Sequence, residues 1–439
     1  MSKKVLIITY YWPPSGGSPV LRWLKFAKYL RNYGWEPVIY TPENPQPQEY
    51  DESNIKEIPE GIEIIKRKIR EPYRFYKILT GKKRSDKLSA AFISEKKGNR
   101  VFNKLSVWLR SNLFIPDPRR FWIGPSIRFL SRYLKRNPVN AVITTAPPHS
   151  MHLIGLGLKK KYDLPWLADF RDPWTKIDFY SALSLTRWAD KKHRKLEKKV
   201  LQSADCIITI GDTMAKEFAS LGANRVITIT NGFDDEIDLT RQDVKPDQKF
   251  SILHVGSIPS SRNVISLWKV LSQLVETSEL FKQNLELKLI GSVDHTVIQS
   301  IKEAGLENFL VKSEYLPHNE AIKKMASSQV LLLLINNTEN SKGILTNKFF
   351  EYLSVKRPIL AIGPEDGDAG KIISHTQAGK IAEYSDEKKI HIIINDYFKL
   401  YLENKLEVKT KNTDNFTRKN CTKKLAEVLD SFVINFHFK

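Results

Sequence analysis

Residues 341–363, SKGILTNKFFEYLSVKRPILAIG, hold the densest group of side chains able to handle an anion. Asn347 is placed to cap a helix and Lys348 falls in its first turn. Free backbone N–H groups, the positive end of a helix and an ammonium therefore converge where a diphosphate can bind. One turn further on, Glu351 can accept hydrogen bonds from a ribose or sugar diol. The helix stops before Pro358, and Pro358–Ile362 reads as a buried strand behind it. The competing reading of Glu351 is a solvated acid on an ordinary helix.

Other stretches carry similar chemistry. WLADFRDPW (166–174) sets Asp169, Arg171 and Asp172 at the end of a strand. Beside buried apolar residues these charges either pair with one another as a structural lock or line the floor of a cleft. In TYYWPPSGGSPV (9–20), Gly16 and Gly17 let backbone N–H groups approach an anion at the start of a helix that Ser18 is placed to cap; a plain turn is the alternative. In LHVGSIPSSRN (253–263), Gly256 marks the turn, and the planar N–H pairs of Arg262 match phosphate oxygens, unless that arginine only closes the loop. His318 in EYLPHNEAIKKM (314–325) reads as a surface or helix-capping histidine.

The elements that must position these groups alternate between strand and helix. Short apolar runs at Val5–Thr9, Val38–Tyr40, Ile62–Ile65, Ala141–Thr144, Trp166–Ala168, Cys206–Ile210 and Val226–Ile229 read as strands of a doubly wound parallel sheet. A second set at Phe250–Val255, Leu285–Ile290, Phe309–Val311, Val330–Leu334 and Pro358–Ile362 repeats the pattern. The polar stretch Asp234–Lys249 between them reads as a linker, which divides the chain into 1–240, 241–415 and a last helix within 416–439. Ligands of such sheets bind at the C-terminal ends of the strands.

A length of 439 residues fits two domains better than one core. Cys206 and Cys421 lie far apart without clustered histidines, which reads as buried reduced thiols rather than a disulfide framework or zinc site. Neither a signal peptide nor a membrane-spanning run is expected, so the reading is cytoplasmic. The net charge of +21 is concentrated: residues 66–136 contain 21 Lys or Arg against four acids. Within them Val101, Phe102, Leu105, Trp108 and Leu109 share one helical face. A basic amphipathic segment of this kind reads as an anionic-membrane contact at the inner face of the plasma membrane, or as a core-packing helix with a solvated basic side. No helix-turn-helix, RNP aromatic pair or zinc finger supports a nucleic-acid partner.

Taken in order, these motifs resemble the retaining GT-B glycosyltransferases of glycosyltransferase family 4, in two Rossmann-like domains. The resemblance covers nearly the whole chain except the basic segment at roughly 66–136. It implies a donor site of Gly16, Gly17, Gly256, Arg262, Lys348 and Glu351, with the backbone near Tyr315 and Leu316 meeting the nucleobase, and a catalytic pair at Arg171 and Asp172. The chain departs from the family in three places. Arg171 stands where many members have histidine, Ser257 where an arginine usually grips the diphosphate, and Gly343 where the first glutamate of a pair is usual. Backbone N–H groups of Gly343–Thr346, ahead of Asn347, would then take part of the sugar, and Lys348 part of the phosphate load. The implied reaction moves a sugar from a nucleotide-diphosphate-sugar, a substrate rather than a cofactor, to a hydroxyl on a lipid-linked or saccharide acceptor in surface-polysaccharide biosynthesis. Cations and helix dipoles would serve the leaving group with no metal required. A nucleotide-sugar 2-epimerase of the same fold and a non-catalytic basic membrane or nucleic-acid binding protein are the alternatives.

Overall fold

The computed structural model describes residues 3–46, 50–69, 108–109, 111–178, 180–234 and 244–436. The chain divides into two compact units, residues 1–230 with 421–439, and residues 231–420. The division at Thr230 and Asn231 falls ahead of the polar stretch read as the linker.

The first unit holds a seven-stranded sheet: β1 (Lys3–Ile8), β2 (Trp35–Pro42), β3 (Glu63–Arg67), β4 (Ala141–Ala146), β5 (Trp166–Phe170), β6 (Cys206–Thr209) and β7 (Val226–Thr228), in the order β3-β2-β1-β4-β5-β6-β7. Every pairing is parallel. Val5 to Ile8 are fully buried, as expected of a strand covered on both faces. The final helix, Arg418–Phe436, turns Cys421, Leu425, Ala426 and Leu429 into the same core as Val5, Trp23 and Ile143. Both cysteines are buried and neither is in a disulfide.

The basic segment is not all insertion. Lys66 and Arg67 lie in β3, and the helix Arg120–Arg136 buries Trp122, Ser126, Leu130 and Leu134, with Trp122 stacked on Tyr40. Val101, Phe102 and Leu105 lie outside the described residues. Trp108 and Leu109 are described, and both are exposed.

The second unit holds β8 (Phe250–Val255), β9 (Leu285–Ile290), β10 (Leu310–Ser313), β11 (Val330–Leu334), β12 (Ile359–Ile362) and β13 (Gly379–Ala382), again all parallel, in the order β10-β9-β8-β11-β12-β13. In both sheets the order reverses beside the first strand, between β1 and β4 and between β8 and β11. That reversal leaves a crevice at the strand ends where the following connections diverge. No described helix is long and apolar enough to cross a membrane.

Candidate functional site

In the second unit the crevice between β8 and β11 is lined from three directions. The turn after β8 begins at Gly256, whose φ of 104° favours glycine. A Cβ placed there would stand 3.1 Å from Lys348 Nζ, so the lysine head lies against this turn. Lys348 sits on the helix Asn347–Val355, and its Nζ is 2.9 Å from Nε2 of His254 in β8. Arg262 closes the loop by donating from Nε to Asn336 Oδ1 (2.6 Å) and from Nη1 to the Ser257 carbonyl (2.9 Å). Glu351, one turn after Lys348 and 15% exposed, accepts from His318 Nε2 at 3.0 Å. From the same helix, Tyr352 Oη accepts from the Val255 N–H (3.0 Å) and so ties the helix to the end of β8.

The electrostatics are those of a site short of negative charge. Burial, followed by the Arg262 guanidinium, holds Lys348 well below the usual lysine range, and Glu351 opposes them. Burial and the same two cations hold His254 well below the usual imidazole range. An anion entering here would restore the ammonium.

The helix start differs from the sequence reading. Thr346, not Asn347, is the N-cap, because its extended backbone (φ −89°, ψ 153°) precedes the first helical residue, and no side chain caps the end. The N–H groups of the first turn are left for another acceptor. Gly343 ends a short 3₁₀ turn just upstream. Leu316 is half-buried, in the irregular link between β10 and the helix His318–Ser327, beside the exposed Tyr315.

In the first unit the strand ends carry a different arrangement. Gly17 (φ 80°), not Ser18, is the N-cap of the helix Ser18–Leu30, and Gly16 precedes it in the turn after β1. A left-handed cap is open to glycine at little steric cost, so the cap falls one residue earlier than expected. The expected lock among Asp169, Arg171 and Asp172 is not formed. Fully buried Asp169 instead accepts from Arg22 Nη2 (2.8 Å) and Nε (3.3 Å), Trp23 Nε1 (2.8 Å) and Thr145 Oγ1 (3.0 Å). Asp169 lies in β5, so its side chain points to the opposite face from its strand neighbours and meets the helix Ser18–Leu30.

Arg171, just past β5, donates from Nε to the Ala146 carbonyl and from Nη2 to the Pro147 carbonyl, both at 3.2 Å. Burial lowers its pKa from the ordinary arginine value, against the pull of Asp172 and Asp169. Asp172 is half-buried, accepts no hydrogen bond from a described residue, and is raised by burial against the opposing effect of Arg171. Next to them His149 stacks on Trp174 (4.5 Å), and Trp174 Nε1 donates to His193 Nδ1 (3.0 Å). Burial pushes His149 well down and His152 to about 3, so this wall is neutral at ordinary pH.

The structure thus gathers Gly256, Arg262, Lys348 and Glu351 at one strand end, and Gly16, Gly17, Arg171 and Asp172 at the strand ends of the other unit. Sequence reasoning missed His254, Tyr352 and Asn336. The available signal for His254 was an imidazole in an otherwise apolar strand, SILHV.

With that geometry in view, likeness to known proteins becomes informative. Residues 91–237 match the family model described as Glycosyltransferase Family 4, a match that begins inside the basic segment left out of the resemblance. No curated protein matches the chain by sequence. Among solved structures, sucrose-phosphate synthase from Thermosynechococcus elongatus is 11% identical with a TM-score of 0.55, covering 99% of this chain and 97% of that one. WaaG, a glycosyltransferase involved in lipopolysaccharide biosynthesis, is 13% identical with a TM-score of 0.52, covering 97% and 99%. The UDP-forming α,α-trehalose-phosphate synthase from Burkholderia vietnamiensis is 10% identical with a TM-score of 0.58, covering 99% and 100%. At these identities the likeness shows the fold, which is GT-B. The chain carries a Glycosyltransferase Family 4 region on that fold and is a glycosyltransferase.

Proposed function

We propose that this enzyme transfers a sugar, with retention at the anomeric carbon, from a nucleotide-diphosphate-sugar to a hydroxyl of a lipid-linked acceptor in surface-polysaccharide biosynthesis. The observation that carries the donor assignment is the placement of Lys348 against Gly256, with Arg262 and an uncapped helix start nearby. Two cations with too little countercharge suit a leaving diphosphate, which gains negative charge as the sugar bond breaks. Glu351 holds a diol of the donor, exchanging its His318 contact for sugar or ribose hydroxyls. The backbone at Gly343–Thr346 and Asn347 faces the sugar, and Leu316 lies by the base. The acceptor oxygen bonds to the anomeric carbon as the bond to the diphosphate oxygen breaks, and its proton passes to a donor phosphate oxygen on the same face. No metal ion or other cofactor enters this scheme.

We assign the acceptor end of the reaction to the first unit. There Asp172 offers an unengaged carboxyl and Arg171 steadies acceptor charge, beside the aromatic wall of His149 and Trp174. Attachment to an anionic inner membrane surface is supported by the basic composition of residues 66–136 and by exposed Trp108, Leu113 (55%), Phe121 (50%) and Trp188 (60%) in that unit.

A thermal-shift panel of UDP, GDP, ADP and their sugars tests the donor assignment. The matching nucleotide at a hundred times its Kd should stabilise by roughly 2.7 kcal/mol. Glu351→Ala and Arg262→Ala should fold normally and lose transfer, and near wild-type turnover by either variant at saturating donor would refute the site. Vesicle co-sedimentation tests the membrane reading: protein left in the supernatant with anionic vesicles at low salt would end it.

A further inference from the structure

We propose that His254 is a positioning residue for the phosphate grip, holding Lys348 against the Gly256 turn where Ser257 offers no cation of its own. This rests on the donor site proposed above. The β8–β11 ladder pairs Ile252 with Val330 and Leu253 with Leu331, and it runs no further. Beyond it, at the crevice, two side chains bridge the strands in place of backbone rungs. His254 Nδ1 lies 3.0 Å from the Leu332 carbonyl, and Tyr352 Oη meets both the Val255 N–H (3.0 Å) and the Leu332 carbonyl (3.4 Å).

The bridge favours one tautomer of the imidazole. The Leu332 carbonyl, 3.0 Å from Nδ1, only accepts; with the hydrogen on Nδ1, Nε2 presents a lone pair, while the Ser257 backbone also lies within hydrogen-bonding reach of the ring. That lone pair faces Lys348 Nζ at 2.9 Å. The ring is fully buried among apolar neighbours of β8, and burial with two nearby cations keeps it neutral. Lys348 forms no ion pair with a carboxylate among the described residues. A lysine with only a structural duty at this depth would ordinarily have one.

When an anion restores the ammonium, one of its N–H groups is thus fixed on the imidazole, with the others left for phosphate oxygens over Gly256. A flexible four-carbon stem gains direction in this way, without an acid that would compete with the diphosphate. The strand bridge alone would need only one ring nitrogen; the second, turned toward Lys348, is what the positioning role uses.

The test is a double-mutant cycle read by binding of the nucleoside diphosphate that stabilises the wild type, with inorganic diphosphate as a second probe. His254→Asn keeps a donor for the Leu332 carbonyl but is too short to reach Lys348. It should weaken both probes roughly ten- to hundredfold, the range seen for orienting partners of metal-ligating side chains, with an unchanged apo melting temperature. Lys348→Met should lose as much or more, and the double variant should lose no more than Lys348→Met alone. His254→Gln, which can reach both partners, should recover part of the affinity. Unchanged binding by His254→Asn, or fold-changes that multiply in the double variant, would overturn the inference while leaving the donor site standing. If His254→Asn does not fold, His254→Phe takes its place in the cycle under the same criteria. Should Lys348→Met and Arg262→Ala also bind normally, the donor site itself is wrong and the inference falls with it.

Discussion

The two sheets share an order and a device, a positive-φ glycine in the connection that follows the first strand (Gly17 at the start of the helix after β1, Gly256 directly after β8), yet their polar groups are used in opposite ways. Beside the first turn, Asp169 receives hydrogen bonds from Arg22, Trp23 and Thr145, and Arg22 also donates to the carbonyls of Ile229 and Thr230. Charge there is matched inside the protein and sealed. Beside the second turn, Lys348 leans on a neutral imidazole, and the nearest acid effect comes from Glu351, itself engaged by His318. The same topology therefore builds a lock where the chain supplies the countercharge and a cradle where it does not. Anion binding is a property of that mismatch rather than of the glycine turn.

The largest effect expected from this contrast is on the lock. Arg22→Met strands a fully buried carboxylate and should cost the first unit roughly 3–5 kcal/mol, read from urea unfolding. The nucleotide-dependent thermal shift of the second unit should survive it. A loss below about 1 kcal/mol, the size of an exposed ion pair, would mean that the two turns do not differ as described.

Lys348→Met should do the reverse. Nucleotide at a hundred times the wild-type Kd would no longer give its roughly 2.7 kcal/mol of stabilisation. The free protein should be no less stable than the wild type. A lysine whose folded pKa is depressed leaves the unfolded chain holding more protons than the native one between that value and 10.5, so wild-type stability falls as pH drops through this window. The advantage of the methionine variant is then largest below the window and shrinks as pH rises toward 10.5. Calorimetry of the free protein across this range, with and without nucleotide, checks both halves.

Why one half of this contrast was easier to foresee follows from what each residue looks like in sequence. All seven strands of the first sheet and five of the second announce themselves as apolar runs. β13 does not, because it opens with Gly379, which reads as a break. Yet a Cβ there would lie 2.0 Å from the Ile359 carbonyl, so glycine is what lets the strand pair. The helix Arg187–Ser203 hides for another reason: its buried stripe of Ala189, His193, Glu197 and Val200 has helical spacing, but two of the four are polar and break the hydrophobic period. Lys348 and Glu351 are legible because helix spacing fixes their neighbourhood. The partner of Asp169 is not, since Arg22 lies far away in sequence and any of several arginines was chemically suitable.

An effect of pH rather than of ligand distinguishes the histidine wall. His152 Nδ1 lies 2.8 Å from the Thr144 hydroxyl, and the ring, packed against Phe170, is held to about 3 by burial. With the folded pKa depressed, the unfolded state takes up the proton first, so stability is lost as pH falls from about 6.5 to about 3, by roughly 1.4 kcal/mol per pH unit for this one group. His152→Leu should remove that part of the slope in urea midpoints measured across the range. An unchanged slope would show that His152 charges freely in the folded protein and that the wall is not neutral.

The smallest stability effect is expected at Arg171, and it decides whether the end of β5 belongs with the lock or with the chemistry. Had Arg171 been the partner of Asp169, its removal would strand a carboxylate and match the cost of Arg22→Met. Instead its guanidinium is spent on two carbonyls, those of Ala146 and Pro147, while burial works against its charge. Losing the hydrogen bonds and losing the desolvation cost act in opposite directions, so Arg171→Ala should cost about 1 kcal/mol, the net worth of an ordinary hydrogen bond. Turnover should nevertheless fall strongly, since Arg171 is the cation adjoining Asp172, and Arg171→His should recover part of it. Unfolding midpoints and initial rates on the same preparations separate the cases. A loss of stability near that of Arg22→Met, with turnover per folded molecule unchanged, would place Arg171 in the lock and leave Asp172 without its partner.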